Sequence, residues 1–310
     1  MLPRFPPAVL LQRLQQGLSS PPVEIVYTCH EQWPLPRHIK HPANRPLRIM
    51  VLDSSFNPPT TAHLRLACHR PPVQTDSQDT SDYDAKLLLL SVRNVDKTLK
   101  SGDATYLQRL EMMALLADEI VRYDGAQAIE ESPAAGNVAV AIIDEPTFAG
   151  KSTWLRTYLQ QRFASLVEDT SAIPVADTQL TFLLGFDTLE RLFAPRYYGS
   201  QSQMFNSLSR FFAAPPIGDD SRVVCAYRTS TTTDDAAREA EQRTLELAKQ
   251  YIDSGHISFI DIGKVESTYS STLVRSTIGQ FGTDNPEGIW KHLVPPRIAD
   301  YMTKEKLYQS

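Results

Sequence analysis

The stretch RIMVLDSSFNPPTTAHLRL, residues 48–66, carries three local signals in succession. Ile49–Leu52 is a short apolar run of the kind that forms a fully buried strand. The two prolines that follow remove backbone donors and fix φ, so neither a strand nor a helix interior can continue through them. Thr60 or Thr61 can then cap a helix that runs through His63. The stretch therefore predicts a strand, a tight turn and a helix N-terminus.

The start of such a helix suits a phosphate group. Its first-turn N–H groups have no partner within the helix, and the helix dipole places partial positive charge there. His63 lies about one turn into the predicted helix, so its imidazole can reach the same place. Taken alone, the stretch favours an ordinary strand–turn–helix connection with a surface histidine, so the remainder of the chain has to distinguish the two interpretations.

Composition limits the class of protein. With 310 residues, 42% hydrophobic and 22% charged, the sequence is that of an ordinary soluble globular protein with one large core or two small ones. A net charge of −5 argues against a general nucleic-acid binder, because such proteins carry a basic face. No apolar run approaches the roughly 20 residues of a membrane span, and the N-terminal apolar residues predict a short amphipathic helix, not a signal peptide. We expect no nucleic acid and no membrane as partners.

The three cysteines are widely spaced and odd in number, which indicates neither a disulfide framework nor a cysteine-rich zinc site. Cys29, His30, His38 and His41 do cluster, but their spacing matches no metal pattern and prolines interrupt it, so a surface loop is favoured over a metal site. We expect a reducing compartment, the cytoplasm, with the nucleus left open.

Buried-strand patterns alternate with helical patterns along the chain. The predicted strands are Ile49–Leu52, Lys86–Val92, Asn137–Ile143, Gln179–Gly185, Arg222–Tyr227 and His256–Ile262. Helical spacing is found at 105–123, 152–166, 188–193, 204–212 and 234–252, and in a final region from 270 to 301. Such alternation predicts an α/β fold with a doubly wound parallel sheet of five to six strands, which binds ligands at the carboxyl ends of its strands. We assign residues 48–310 to this domain and residues 1–47, with a further strand at 23–29, to an N-terminal extension.

Two further segments have a bearing on phosphate binding. Residues 150–153, GKST, resemble the end of a phosphate loop, but the pattern needs a glycine at position 145, where this chain has Glu145, so we reject it. Residues 266–275, ESTYSSTLVR, follow the last strand and open a helix. Their hydroxyl groups can cap that helix or donate to a phosphate, and Arg275 can bind phosphate oxygens bidentately. By itself the segment is also compatible with a plain N-cap and a solvent-facing arginine.

Together these segments resemble one family. Residues 54–64, SSFNPPTTAHL, resemble the GSFNPxTxxHL signature of the nicotinamide/nicotinate mononucleotide adenylyltransferases, and residues 269–275, YSSTLVR, look like their ISSTxxR. Residues 183–190, LLGFDTLE, resemble LLCGxDLLE, residues 94–109 are similar to the lysine- and arginine-bearing segment, and residues 291–295, KHLVP, resemble RYLVP. The five matches occur in order over most of the chain. They indicate a divergent, fungal branch of this family, with its Rossmann-like nucleotidyltransferase fold.

The resemblance implies adenylyl transfer from ATP to nicotinamide or nicotinate mononucleotide, with Mg²⁺ accompanying ATP. It implies that His63 donates a hydrogen bond to an oxygen of the α-phosphate of ATP, with Thr60 nearby. It places a second set of residues around the rest of ATP: the serines and threonine at the helix start and Arg275 at the β- and γ-phosphates, and Asp187 at the ribose hydroxyls. This ATP set is Ser270, Ser271, Thr272, Arg275, Gly185 and Asp187.

For the mononucleotide, the resemblance implies a pocket lined by Ser54, Ser55 and Phe56, with Lys97 or Lys100 at its phosphate. Trp154 is a candidate for stacking on the pyridine ring, and helix packing is an equally good explanation for it. Ser54 departs from the signature, which has glycine there. A serine narrows the pocket and is strained by about 1 kcal/mol or more if its φ is positive.

Alternative functions stay open at this point. One is a divergent family member that binds or hydrolyses ATP and acts through protein partners, with residues 1–47 and the polar 70–85 segment as contact surfaces. Another is an adenylyl- or cytidylyltransferase with a different phosphorylated acceptor, which the two end signatures disfavour. A homo-oligomer is compatible with the sequence, and the choice between the two mononucleotides is not fixed by it.

Overall fold

A computed structural model describes residues 5–36, 45–70, 82–93, 102–126, 134–167, 177–226, 235–263, 268–283 and 288–309. Lys97, Lys100, His38 and His41 lie outside these ranges, as does most of the 70–85 segment. The three cysteines are described, and all are free thiols. In the described part of the chain, no helix is both long enough and apolar enough to cross a membrane.

Seven strands form one sheet: β1 Val23–Thr28, β2 Leu47–Asp53, β3 Ala85–Ser91, β4 Val138–Ile143, β5 Thr178–Gly185, β6 Arg222–Ala226 and β7 Ile257–Ile260. The helices are α1 Pro7–Gln15, α2 Thr61–Ala67, α3 Tyr106–Ala126, α4 Phe148–Val167, α5 Phe186–Leu192, α6 Gln201–Phe212, α7 Asp235–Asp253, α8 Ser271–Phe281, α9 Trp290–Leu293 and α10 Pro296–Lys304. A short 3₁₀ turn covers Pro195–Tyr197.

The strand order is β1-β4-β3-β2-β5-β6-β7, and every pair from β4 to β7 is parallel. Numbered from β2, the six parallel strands stand in the order 3-2-1-4-5-6, which is the doubly wound Rossmann arrangement. This confirms the predicted fold class. The strand order reverses between β2 and β5, so the crevice at their carboxyl ends is where such a sheet binds ligands.

Both faces of the sheet are buried. Met50 and Leu52 of β2 point into one apolar cluster, and Ile49 and Val51 point into the other on the opposite face. Since helices cover both faces, the parallel strands need apolar side chains at every position, which explains their uninterrupted hydrophobic runs. β2, which precedes the turn at residues 54–60, is therefore held by apolar packing on both of its faces.

The structure adds one strand to the predicted five or six. β1, from the segment assigned to the extension, pairs antiparallel with β4 through Val23 and Ile143 and covers that edge of the sheet. α1 packs against β1 and α3. The division into residues 1–47 and 48–310 stays a prediction, although β1 and α1 pack on the main sheet.

Several predicted helix limits differ from the structure, and two of these differences have a clear local cause. α4 begins at Phe148 and not at residue 152, because the Thr147 hydroxyl accepts a hydrogen bond from the Gly150 N–H at 3.1 Å and caps an earlier turn. The final helical region is three helices, since α8 ends at Gly282, whose φ is +72°. The GKST segment therefore lies inside α4 and forms no phosphate loop.

Candidate active site

A cavity of about 700 Å³ opens at the carboxyl ends of β2 and β5. Its walls include the turn that follows β2, the start of α4, the start of α5 and the start of α8. Segments that are more than 200 positions apart in the sequence meet here, at the point where the strand order reverses. The volume falls in the range usual for small-molecule sites.

The turn after β2 is held rigidly. The Ser54 N–H donates to the Leu89 carbonyl at 3.3 Å, so its backbone continues the strand, and its φ is not positive. The left-handed residue is instead Phe56, with φ +43°. Its side chain is fully buried and packs against the His63 ring, with 5.3 Å between ring centroids. Ser54 in place of the signature glycine therefore introduces no backbone strain.

His63 sits in the first turn of α2 and is held by the residue that caps this helix. The Thr60 backbone N–H donates to His63 Nδ1 at 2.9 Å, and Thr60 Oγ1 is also 2.9 Å from Nδ1. On its other side, His63 Nε2 is 2.9 Å from Ser54 Oγ. Thr60, Ser54 and His63 all line the cavity, and Thr60 is fully buried. The imidazole is thereby oriented at both of its nitrogens.

The start of α8 docks directly on this turn. The Ser270 side chain caps α8, and Ser271 Oγ donates to the Pro58 carbonyl at 2.7 Å. Arg275 Nη1 donates to the Asn57 carbonyl. The two end signatures of the sequence are therefore in hydrogen-bonded contact, with Ser270, Ser271 and Arg275 all facing the cavity.

Asp103 organises two arginines beneath the turn. Its carboxylate lies 3.7 Å from Arg275 Nε and 3.8 Å from Arg109 Nη2, and it accepts a hydrogen bond from Asn57 Nδ2 at 2.8 Å. Burial lowers the pKa of Arg109, and the charge of Asp103 opposes that change. Burial raises the pKa of Tyr308, which stays a hydroxyl and donates to Asn57 Oδ1 at 2.8 Å. The arginines are thus fixed before any ligand arrives.

The wall formed by β5 and α5 is open. Gly185 ends β5 and precedes α5, and no heavy atom lies within 4 Å of where a side chain on it would start. Asp187, in the first turn of α5, lines the cavity two residues later. This wall combines free space with one carboxylate, which is what a sugar with two hydroxyl groups requires.

The opposite wall contains a buried ion pair. Lys151 Nζ, on α4, donates to Asp53 Oδ2 at the end of β2 over 2.5 Å, and the two side chains are 6% and 8% exposed. The Lys151 ammonium also lies 4.9 Å from the centroid of the Phe148 ring. All three residues line the cavity. This wall offers an aromatic face beside a neutralised charge pair.

Cations outnumber anions among the described lining residues. The cationic side chains are Arg93, Arg109, Lys151, Arg191 and Arg275, and the carboxylates are Asp53, Asp103 and Asp187. The whole chain has a net charge of −5, so the positive potential is local to the cavity. A polyanionic ligand fits such a site.

The structure brings most of the predicted site residues to this one cavity. Those that line it are Ser54, Ser55, Thr60, His63, Gly185, Asp187, Ser270, Ser271, Thr272 and Arg275. Phe56 does not line it, because it is buried beneath His63. Trp154 does not line it either: it is 38% exposed on α4, whose inward side carries Leu155 and Leu159. Lys97 and Lys100 lie outside the described residues.

The lining also includes residues that were not predicted, among them Asp53, Asp103, Phe148 and Lys151. The sequence could have indicated Asp53, because it is the last residue of the buried strand in the stretch 48–66, at the strand end where such sheets bind ligands. Lys151 belongs to the GKST segment that was rejected as a phosphate loop. No local pattern indicates that these two residues pair across 98 positions.

No protein-family model matches the chain. It is 31% identical over 196 residues to a Schizosaccharomyces pombe protein named "Putative nicotinamide mononucleotide adenylyltransferase", a match that covers 63% of this chain and 59% of the relative. The chain thus spans less than two thirds of that relative's length. It is 29% identical over 171 residues to a Dehalococcoides mccartyi protein named "Probable nicotinate-nucleotide adenylyltransferase", covering 55% of this chain and 69% of the relative.

Among solved structures, a Plasmodium falciparum nicotinic acid mononucleotide adenylyltransferase complexed with NaAD aligns over 84% of this chain and 97% of its own. The TM-score is 0.44 and the sequence identity is 15%. A second structure, of the same enzyme complexed with APC, aligns with a TM-score of 0.44 and 14% identity. The fold of the present chain is established by its own strand order.

Proposed function

We propose that the chain is a member of the nicotinamide/nicotinate mononucleotide adenylyltransferase family and transfers the adenylyl group of ATP to nicotinamide or nicotinate mononucleotide. Its similarity to the curated relatives supports this proposal. The products are the dinucleotide and pyrophosphate. The observation that carries the proposal is the contact between the turn after β2 and the start of α8, through Ser271, Arg275 and the carbonyls of Asn57 and Pro58. It joins an imidazole and an arginine in one cavity with cationic excess.

In this proposal ATP lies across the β5 side of the cavity. Arg275 and the hydroxyl groups of Ser270 and Thr272 bind the β- and γ-phosphates at the start of α8, where helix N–H groups add to the positive potential. The Asp187 carboxylate accepts hydrogen bonds from the ribose hydroxyls. The open space at Gly185 lets the nucleoside lie close to the backbone.

The reaction needs no general base. The acceptor is a phosphate that is already ionised at neutral pH, and its oxygen attacks the α-phosphorus of ATP while the bond to pyrophosphate breaks and the electron pair leaves with pyrophosphate. The chain's contribution is to position the two nucleotides and to stabilise the charge on the α-phosphate oxygens. His63, whose ring is fixed by Thr60, serves that second purpose.

The acceptor mononucleotide is assigned to the side of the cavity nearer α4. Phe148 supplies an aromatic face there, a task that the sequence had suggested for Trp154. Ser55 lines the same region, and its carbonyl accepts from Arg109 Nη1 at 3.4 Å. Lys97 or Lys100 remains our proposal for the acceptor phosphate, on the sequence resemblance alone.

Mg²⁺ is proposed as the partner of the ATP phosphates. Among the described residues, no group of three or more His, Cys, Asp or Glu side chains could hold a metal ion. Asp53 and Asp103 are engaged by cations in the cavity walls. These residues fit an ion held by phosphate oxygens and water, the coordination that Mg²⁺ commonly keeps with nucleotides, where it neutralises phosphate charge.

The proposal is tested by incubating the purified chain with ATP, MgCl₂ and either mononucleotide, and separating the products by liquid chromatography. We expect a dinucleotide that depends on all three components, and the ratio of the two rates gives the acceptor preference. A chain that binds ATP in calorimetry but yields no dinucleotide with either acceptor would contradict it. Release of ADP and phosphate in that case would favour the alternative, an ATP-hydrolysing family member that acts through protein partners.

A further inference from the structure

The hydrogen bonds of His63 define where its proton lies. The Thr60 backbone N–H can only donate, so His63 Nδ1 must be the acceptor of that 2.9 Å bond. A neutral imidazole then carries its proton on Nε2. Ser54 Oγ, 2.9 Å from Nε2, is therefore the acceptor of the Nε2–H bond. The imidazole proton already has a partner in this arrangement, and that partner is Ser54.

The Ser54 hydroxyl keeps its own proton available. Its oxygen accepts from His63, and its O–H donates to no other group in the described part of the chain. Ser54 lines the cavity directly after β2, where its N–H donates to the Leu89 carbonyl. The Ser54 hydroxyl therefore faces the cavity from a backbone that is held in place, and the hydrogen bond from His63 polarises it.

We infer that Ser54 is a catalytic residue, whose O–H donates to a non-bridging oxygen of the transferred α-phosphate while His63 acts on the phosphate through it. The inference rests on the proposed adenylyl transfer and deepens it. A hydroxyl that accepts one hydrogen bond donates a stronger one, because the bonds in a chain polarise one another. The bond from Ser54 strengthens further as negative charge builds on the α-phosphate oxygens in the transition state.

No proton is transferred along this chain of hydrogen bonds. The acceptor phosphate oxygen forms the new bond to the α-phosphorus, and the bond to pyrophosphate breaks with its electron pair. The Ser54 O–H and the His63 Nε2–H stay covalently intact, and only their hydrogen bonds shorten. The departure from the signature glycine thus places a hydroxyl donor between the histidine and the phosphate.

The test compares three variants with the native chain: Ser54→Ala, Ser54→Thr and His63→Ala, together with the double variant Ser54→Ala/His63→Ala. Ser276→Ala is the matched control, since Ser276 is an exposed serine of α8 outside the cavity. Thermal melting checks that each variant folds. Initial rates of dinucleotide formation give kcat and KM, and the rate ratio of the two ATPαS diastereomers reports contacts to individual α-phosphate oxygens.

We expect Ser54→Ala to lower kcat by about 100-fold with little change in the KM for ATP, as when one preorganised donor is removed. Ser54→Thr, which keeps the hydroxyl, should restore most of the rate. The double variant should be no slower than His63→Ala, because residues that act as one unit are not additive. The diastereomer ratio should change in Ser54→Ala, and a purely structural serine would not alter it.

A Ser54→Ala chain that turns over as fast as the native one, or faster, would overturn the inference and leave adenylyl transfer standing. Additive effects of the two alanine substitutions would overturn it as well, since they would mean that His63 reaches the phosphate independently. If the native chain itself formed no dinucleotide, the proposed function would fall and the inference with it. Dinucleotide formation by the native chain therefore distinguishes a failure of the Ser54 inference from a failure of the proposed function.

Discussion

The two sides of the cavity differ in how they are built. On the side proposed for ATP, His63, Ser271 and Arg275 come from two short signature segments and are held together by hydrogen bonds to the same turn. On the side proposed for the acceptor, the lining includes a buried ion pair between Asp53 and Lys151 with an aromatic ring next to it. The residues proposed for phosphate transfer thus lie in contiguous motifs, whereas those proposed for the acceptor pocket are scattered through the chain.

The largest expected effect is on the ATP side. His63→Ala should lower kcat by about 100- to 1,000-fold, since in the proposed mechanism His63 helps to stabilise charge at the α-phosphate. Steady-state rates measure this, and calorimetric ATP binding with thermal melting shows whether the site persists. His292→Ala, an exposed histidine of α9, is the control and should retain native rates. Unchanged turnover of His63→Ala would remove the histidine from the mechanism.

The acceptor side should show its strongest effect in stability. Lys151→Met leaves Asp53 buried without its cation, which should lower the free energy of unfolding by about 3 kcal/mol. Adding Asp53→Asn should recover at least half of that loss. Urea denaturation measures both. Lys249→Met breaks an exposed pair with Asp253 and should change stability by about 0.5 kcal/mol or less. Equal losses from the two lysine substitutions would show that the buried pair has no special role.

Arg275→Ala should raise the KM for ATP by about tenfold or more, because charged hydrogen bonds contribute roughly 1.5–3 kcal/mol each. The KM for the mononucleotide should change much less, and that contrast is what distinguishes the two sides of the cavity. Arg243→Ala, on the exposed side of α7, is the matched control. Equal changes in both KM values would mean that Arg275 mainly supports the turn through Asn57.

The smallest expected effect compares two aromatic residues of α4. Phe148→Ala should raise the KM for the mononucleotide by about fivefold, the equivalent of roughly 1 kcal/mol of stacking. Trp154→Ala should leave it within about twofold, because that side chain lies outside the cavity. Competition titrations with ATP at saturation give both values. A larger effect at Trp154 than at Phe148 would reverse the assignment of the pyridine side.

The sequence predicted the sheet well for a physical reason. Strands buried on both faces need continuous apolar runs, so β2 to β6 could be located to within a few residues. The start of α4 could not, because its capping by Thr147 depends on a local turn around Glu145 that periodicity does not reveal. The break of the final region after Phe281 was missed in the same way, since it depends on the positive φ of Gly282.

For the site, prediction succeeded where the residues belong to one contiguous motif. Thr60 and His63 lie three positions apart on one helix turn, and their contact follows from that spacing. The pairing of Asp53 with Lys151 depends on how α4 packs over β2, which no local pattern specifies. Trp154 was preferred for its residue type, whereas the packing of α4 turns it away from the cavity.

The most direct test of adenylyl transfer follows the fate of the phosphates. The chain is supplied with ATP labelled with ³²P at the α- or the γ-position, together with MgCl₂ and mononucleotide. We predict that the α-label enters the dinucleotide and the γ-label enters pyrophosphate, in equal amounts and at equal rates. Recovery of the γ-label as inorganic phosphate, with the α-label remaining in ADP, would contradict adenylyl transfer.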